Sequence, residues 1–150
     1  MGDTKIRVES EIEVQSYLQD LRYALSNGAK ILFQVERRVD QSRDVRYTNR
    51  FTIADLFPNE EPVDALKREL QTLTIEDYMQ TVRDLRFPNR SEMREFGKAY
   101  NEKGDVYIKI RVELFSEYGE HTAFVMSFHY AEIPFTHEMF PFKKEGGTSS

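Results

Sequence analysis

Three side chains able to handle a phosphodiester stand two residues apart in one run of the chain. Tyr107, Lys109 and Arg111 alternate with Val106, Ile108, Ile110 and Val112 in the segment DVYIKIRVEL. Alternation with a period of two predicts a β-strand with its apolar side chains on one face and its polar ones on the other. A phenol, an ammonium and a guanidinium would then line one face of a rigid element. The preceding segment offers Arg94, Phe96, Lys98 and Tyr100 at the same spacing, and the following one offers Ser127 and His129. Arg and Lys bind phosphate and stabilise charge that develops on it, Tyr and His can move protons, and aromatic rings can stack on bases. The same alternation is also what the wet face of a half-exposed sheet looks like. His129, at the end of an apolar run, fits a satisfied core histidine as well as a catalytic one.

Other chemistries find little support. There is no Cys, so a disulfide framework, a thiol nucleophile and a Cys-ligated metal are excluded. The three His, at 121, 129 and 137, form no metal-ligand motif, and neither a metal nor any other cofactor is expected. No Gly-rich phosphate loop and no GxSxG elbow occur. The acidic pairs Glu60-Glu61 and Glu76-Asp77 fall where helices start, and capping accounts for them.

The elements that must position these residues are legible as patterns. Residues 11–27 read as an amphipathic helix, with Ile12, Val14, Tyr17, Leu18, Leu21, Ala24 and Leu25 at helical spacing. Ser10 is its N-cap and Asn27-Gly28 its stop. Residues 30–36 read as a strand, followed by an Arg-rich polar stretch through Arg50. Thr52 to Phe57 reads as a short capped helical turn. Pro62 opens a helix through about Leu73, and Thr74-Ile-Glu-Asp77 opens another through about Val82. After a turn-rich connection at 84–91 the period becomes strand-like: Met93 to Tyr100, Asp105 to Leu114 and Thr122 to Tyr130. The connections at 101–104 and 115–121 suit an antiparallel meander. The expected fold is α+β, with N-terminal helices packed on a three- to four-stranded antiparallel sheet and strand 30–36 at an edge. A single domain over 1–144 with a flexible Gly/Ser-rich tail at 145–150 is expected.

The 150 residues carry 21 basic and 26 acidic side chains, a net charge of −5. Taken alone this weighs against nucleic-acid binding, but the charge is unevenly spread. Residues 30–50 hold six basic against three acidic side chains, and residues 78–111 hold eight against five. If these segments fold together, Arg37, Arg38 and Arg46 would flank Arg94, Lys98 and Lys109 in a positive groove on an acidic molecule. The alternative is that the Arg-rich loop points away and is simply solvated. No apolar run approaches the ~20 residues of a membrane helix. The N-terminal MGDTKIRVES lacks the apolar core of a signal peptide. A cytoplasmic protein without membrane contact is expected.

The spaced pattern Phe96-Gly-Lys98, Val106-Tyr-Ile-Lys-Ile110, Ser127-Phe-His129, Ala131-Glu132, Pro134 and Pro141-Phe-Lys143 resembles the MqsR (motility quorum-sensing regulator) family of prokaryotic toxins. Leu73-Thr-Ile-Glu-Asp-Tyr78 is similar to that family's L-x-x-x-D-[FY] segment, and Thr52-Ile-Ala-Asp-Leu56 to the short helix before it. The resemblance covers about residues 14–143. It implies a RelE-like fold, a metal-independent ribonuclease (mRNA interferase) cutting mRNA, and a cognate antitoxin in a type II toxin–antitoxin pair. By position, Tyr107 and Lys109 fall on the family's Tyr and Lys. The chain departs from the family at Gln80, where a Lys is usual, and at Met93-Arg94, where Trp-Gln is usual. The candidate catalytic set is therefore Lys98, Tyr107, Lys109, Arg94 and His129, with Arg111, Arg37, Arg38 and Arg46 as RNA-binding cations. A non-catalytic interaction module using the same basic face is the alternative.

Overall fold

A computed structural model describes residues 4–35, 44–87, 89–100, 102–114 and 120–144. Arg37, Arg38 and the tail at 145–150 lie outside the described residues. Three helices pack on one face of a six-stranded mixed sheet. The strands are β1 (Thr4–Arg7), β2 (Lys30–Phe33), β3 (Tyr78–Asp84), β4 (Met93–Ala99), β5 (Asp105–Glu113) and β6 (Thr122–Tyr130). Their order across the sheet is β1-β3-β4-β5-β6-β2. All neighbours are antiparallel except β2 and β6, which run parallel.

This corrects the expected three- to four-stranded antiparallel sheet, and with it the RelE-like architecture as stated. Two strands are additional. The segment read as a helix from Thr74 is a single 3-10 turn, Ile75–Asp77, followed by β3. The Asp77 carboxylate does accept from the Thr74 backbone N–H, as a capping box requires, but the turn it caps goes no further. Tertiary pairing with β4 outweighs the local helical start. β1 is short and its side chains are exposed, so it carries no alternation to read. Strand 30–36 is at an edge, as expected, but it ends at Phe33 and is parallel to its neighbour.

Helix α1 (Glu11–Ser26) begins in a complete capping box. Ser10 accepts from the Glu13 N–H, and the Glu13 carboxylate accepts from the Ser10 N–H. Val14, Leu18, Leu21 and Leu25 recur at helical spacing and are buried against Phe96, Ile108, Ile110 and Phe128. Ile12, expected in that stripe, is instead 81% exposed. Gly28 follows the Asn27 C-cap with φ +77°, a left-handed conformation that closes the helix at little cost only for Gly. Helices α2 (Asn49–Leu56) and α3 (Pro62–Leu70) add Ile53, Ala65, Leu66 and Leu70 to the same core.

Helix α2 has a second task. β2 ends at Phe33 opposite Val125, so the outer edge of β6 beyond that point has no strand beside it. Two buried polar side chains of α2 take over. Asn49 donates to the carbonyls of Gln34 (2.7 Å) and Met126 (2.9 Å), and its carbonyl accepts from Phe128 N–H (3.0 Å). Thr52 Oγ1 accepts from Tyr130 N–H (2.9 Å). Thr52 is thus no cap; Thr48 caps this helix. An unpaired buried backbone group costs more than a hydrogen bond contributes. Asn49→Ala, which strands the Met126 carbonyl and the Phe128 N–H, is therefore expected to lower unfolding free energy by about 3 kcal/mol, and Thr52→Val by about 1–2 kcal/mol. Urea denaturation measures both, and amide exchange at Phe128 and Tyr130 should accelerate in the respective variants.

Candidate functional site on the sheet face opposite the helices

Register decides which candidate residues meet. Val106, Ile108 and Ile110 are buried under the helices, while Tyr107 and Lys109 are partly exposed on the other face, as the alternation predicts. On β4, Phe96 pairs with Ile108, Arg94 with Ile110 and Lys98 with Val106. Paired residues share a face, so Arg94 and Lys98 belong to the helix-bearing side together with Phe96. Glu95 pairs with Lys109 and Gly97 with Tyr107. The expected grouping of Arg94 and Lys98 with Lys109 is thus corrected: they stand on opposite faces. The signal was present in Phe96, whose large ring must enter the core and takes its period-two neighbours with it.

The face opposite the helices carries two cross-strand rows. One runs Gln80, Glu95, Lys109, Ser127 over β3, β4, β5 and β6. Gln80 Nε2 donates to Glu95 Oε1 at 3.0 Å, and Lys109 Nζ lies 4.0 Å from Glu95 Oε2. Glu95, only 7% exposed, is the carboxylate that faces the Lys109 ammonium. Sequence reasoning passed over it because it stands between Arg94 and Phe96, on the alternation opposite to theirs. Gln80, where the resemblance noted a departure, sits in this same row.

The second row runs Gly97, Tyr107, His129. The rings of Tyr107 and His129 are 5.4 Å apart at 44°. His129 Nδ1 is 3.0 Å from the Tyr130 carbonyl oxygen. A carbonyl only accepts, so in this contact Nδ1 is the donor. A β-bulge between Lys109 and Ile110 in the β5–β6 pairing brings Ser127 opposite Lys109 and His129 opposite Tyr107. Arg111 lies one position further along. Its guanidinium stacks on Phe124 at 4.1 Å, with Nε 3.5 Å from Glu113.

The remaining cations lie elsewhere. Arg46 stacks on Tyr130 at 4.6 Å and donates to the Lys103 carbonyl, which puts it on the α2 side, away from Lys109. The expected groove uniting Arg46, Arg94, Lys98 and Lys109 is not formed. Arg94 makes a bidentate pair with Glu9 (Nε–Oε1 2.8 Å, Nη2–Oε2 3.0 Å) and lies over the Tyr17 ring at 4.5 Å. Glu9 is 4% exposed and also accepts from Thr81 Oγ1 at 2.5 Å. Its burial opposes ionisation, but the hydrogen bonds from Arg94 and Thr81 and the charges of Arg94 and Arg7 outweigh that and hold its carboxyl below the usual range. Arg94 is thereby committed to tying the β1–α1 connection to β4. Tyr17 is fully enclosed, and burial pushes its phenol upward.

Among the described residues, no group of three His, Asp or Glu is placed to hold a metal ion, and no helix is long and apolar enough to cross a membrane. No protein-family model, curated protein or solved structure matches the chain.

Two outcomes follow from this geometry. A folded-state pKa below the unfolded one means that Glu9 contributes its full stability above the unfolded value, about 4.3, and loses it as pH falls through the folded value. Acid unfolding should therefore steepen below about pH 4 in the wild type. Glu9→Gln should flatten that limb while destabilising the protein at pH 7 by about 3 kcal/mol, because Arg94 is left without its counter-ion. At Gly97, a Cβ would come within 2.6 Å of the Phe135 ring and 2.9 Å of the Phe140 ring. Gly97→Ala should displace those rings and cost about 1–3 kcal/mol, measured by thermal unfolding.

Proposed function

We propose that this protein is a metal-independent endoribonuclease acting on mRNA, the toxin half of a toxin–antitoxin pair. The observation that carries the reading is the Tyr107–His129 pair. Two proton-handling rings are locked together on a rigid sheet, with Lys109 two residues along the same strand. The likeness of Val106-Tyr-Ile-Lys-Ile110 and Ser127-Phe-His129 to the MqsR family supports it from the sequence side.

In this mechanism RNA supplies its own nucleophile. A base, His129 Nε2 or the Tyr107 phenolate, removes the 2′-OH proton. The 2′-oxygen attacks the adjacent phosphorus, and the bond from phosphorus to the 5′-oxygen breaks. The other ring donates a proton to that leaving oxygen. Products are a 2′,3′-cyclic phosphate and a 5′-hydroxyl. Lys109 stabilises the charge on the pentacoordinate phosphorus, and Arg111 acts as an outer cation. Arg94 has no part in this step, since its guanidinium is bound to Glu9 on the opposite face. The cognate antitoxin would act by covering the Tyr107 face, and the setting would be the cytoplasm, where mRNA is met.

A second reading, a non-catalytic module that binds a protein partner through this face, is favoured by one contact. Lys109 already faces a buried carboxylate, which lowers its value to a phosphate. Incubation of purified protein with RNA in EDTA separates the two. Cleavage is expected to persist in EDTA, to leave a 2′,3′-cyclic phosphate, and to spare a substrate with 2′-deoxyribose at the cut. His129→Gln and Lys109→Ala are expected to slow it by roughly 10²–10⁴-fold with unfolding midpoints retained. Cleavage of DNA or a requirement for a divalent metal would overturn the mechanism. Intact RNA would leave the binding-module reading.

A further inference from the structure

A small pocket opens where β3 stops. β3 begins at Tyr78, opposite Phe96, so Gly97, Lys98 and Ala99 extend past it with no strand on that side. The 3-10 turn at Asp77 and the segment from Phe135 to Lys143 close around this gap and leave a cavity of about 240 Å³. Cavities that take drug-sized ligands start at about 300 Å³, so this one suits a compact group.

Its lining carries charge of both signs. Lys98, His137 and Lys143 are the basic members, and Asp77 and Asp105 the acidic ones. Both carboxylates are already used by the backbone. Asp77 Oδ2 accepts from Thr74 N–H at 2.9 Å, and Asp105 Oδ2 accepts from Phe135 N–H at 2.9 Å. Burial opposes ionisation of the Asp77 carboxyl, and the positive charges of Lys98 and Lys143 favour it. The two ammoniums make other contacts. Lys98 Nζ donates to the neutral Thr72 hydroxyl, and Lys143 Nζ lies 5.2 Å from the centre of the Phe140 ring. Both are near enough to Asp77 for their charges to act on its carboxyl. Two ammoniums and an imidazole on the lining of a small cavity, where one oxygen of each carboxylate is taken by a backbone N–H, suit a compact anion with several acceptor oxygens.

The pocket also adjoins the Tyr107 row. Gly97, which lines it, is the cross-strand partner of Tyr107, about 4.8 Å away across the sheet. Phe135 and Phe140, which line it too, rest directly on Gly97. We propose that this pocket binds an RNA phosphate flanking the one cut at Tyr107 and His129, with Lys98 and Lys143 as its cationic ligands. The proposal rests on the ribonuclease reading for the identity of the anion, but not for the existence of the pocket. It also gives Lys98 a role compatible with its face: it holds substrate from the rim and does not act at the reacting atoms.

The test uses the full chain, a four-nucleotide all-2′-deoxy oligomer that cannot be cut by the proposed route, and inorganic phosphate. Binding is followed by amide NMR shifts. The oligomer is expected to move Gly97, Ala99 and Lys143 saturably, and phosphate to move the same amides more weakly. Lys98→Met and Lys143→Gln should each weaken the oligomer roughly tenfold, since a charge-assisted hydrogen bond is lost. Their amide spectra should otherwise match the wild type. RNA cleavage with normal KM in both variants would overturn the pocket and leave the ribonuclease standing. Binding at these amides without RNA cleavage would keep the phosphate pocket and overturn the ribonuclease. Phosphate binding without oligomer binding there would overturn the RNA assignment, and no binding of either probe would overturn the pocket outright.

Discussion

The outer edge of β6 is the constraint on which the rest of the molecule depends. β2 supports that strand for only four residues, and beyond Val125 the backbone groups on that side would be buried without partners. Asn49 and Thr52 answer for them, so the first turns of α2 stand where a longer β2 would have been. A buried polar side chain in a helix usually signals a strained compromise. Here it replaces a piece of missing sheet, and every polar atom of the Asn49 amide has a β-strand partner. The arrangement fixes α2 against β6, and α2 in turn supplies Ile53 to the core and Asp55 to the Tyr130 hydroxyl.

A second constraint operates at the other side of the sheet, and it separates charge by face. Arg94 and Glu9 are both largely removed from water, which is costly for each ion alone. The bidentate contact, the Thr81 hydroxyl and the Tyr17 ring together compensate, and they pin the start of α1 to β3 and β4. A strongly basic residue is thereby removed from the functional inventory. Glu9 and Arg94 neutralise each other on the helix side, so neither contributes to the charge of the Tyr107 face.

What could be read from the amino-acid sequence follows from which physical signals are local. The capping box at Ser10, the apolar stripe of α1 and the Gly28 stop act within a few residues, and the helix is where they place it. The alternation in β5 is likewise self-contained, and its inner and outer faces agree with the expectation. β3 was missed because Thr74 and Asp77 form a valid helix-start motif, and only pairing with β4 shows that the helix never follows. β1 was missed because it is an exposed edge strand, with no buried face to impress a pattern on it. On β4 the spacing was right and the face was wrong. Arg94, Phe96 and Lys98 do alternate, but the alternation does not say which side is wet until the burial of Phe96 is given full weight. The parallel pairing of β2 could not be inferred at all, since the orientation of a four-residue edge strand is set by the long connection through α2 and α3.

These strands converge on the β6 bulge. Up to Val125 the strand pairs with β5 in one register, and from Ser127 onward in another, with Met126 as the additional residue. If the first register continued without the bulge, a one-residue slip would carry Phe128 to the wet face and His129 into the core. The carbonyl of Met126, the additional residue, and the N–H of Phe128 face the outer edge past the end of β2, and Asn49 binds both. The same side chain that closes the sheet edge therefore also stabilises the register that sets His129 beside Tyr107. The proton-handling pair and the packing of α2 are consequently not separable features. A change that loosens the Asn49 contacts acts on the candidate site through strand register, without touching either ring.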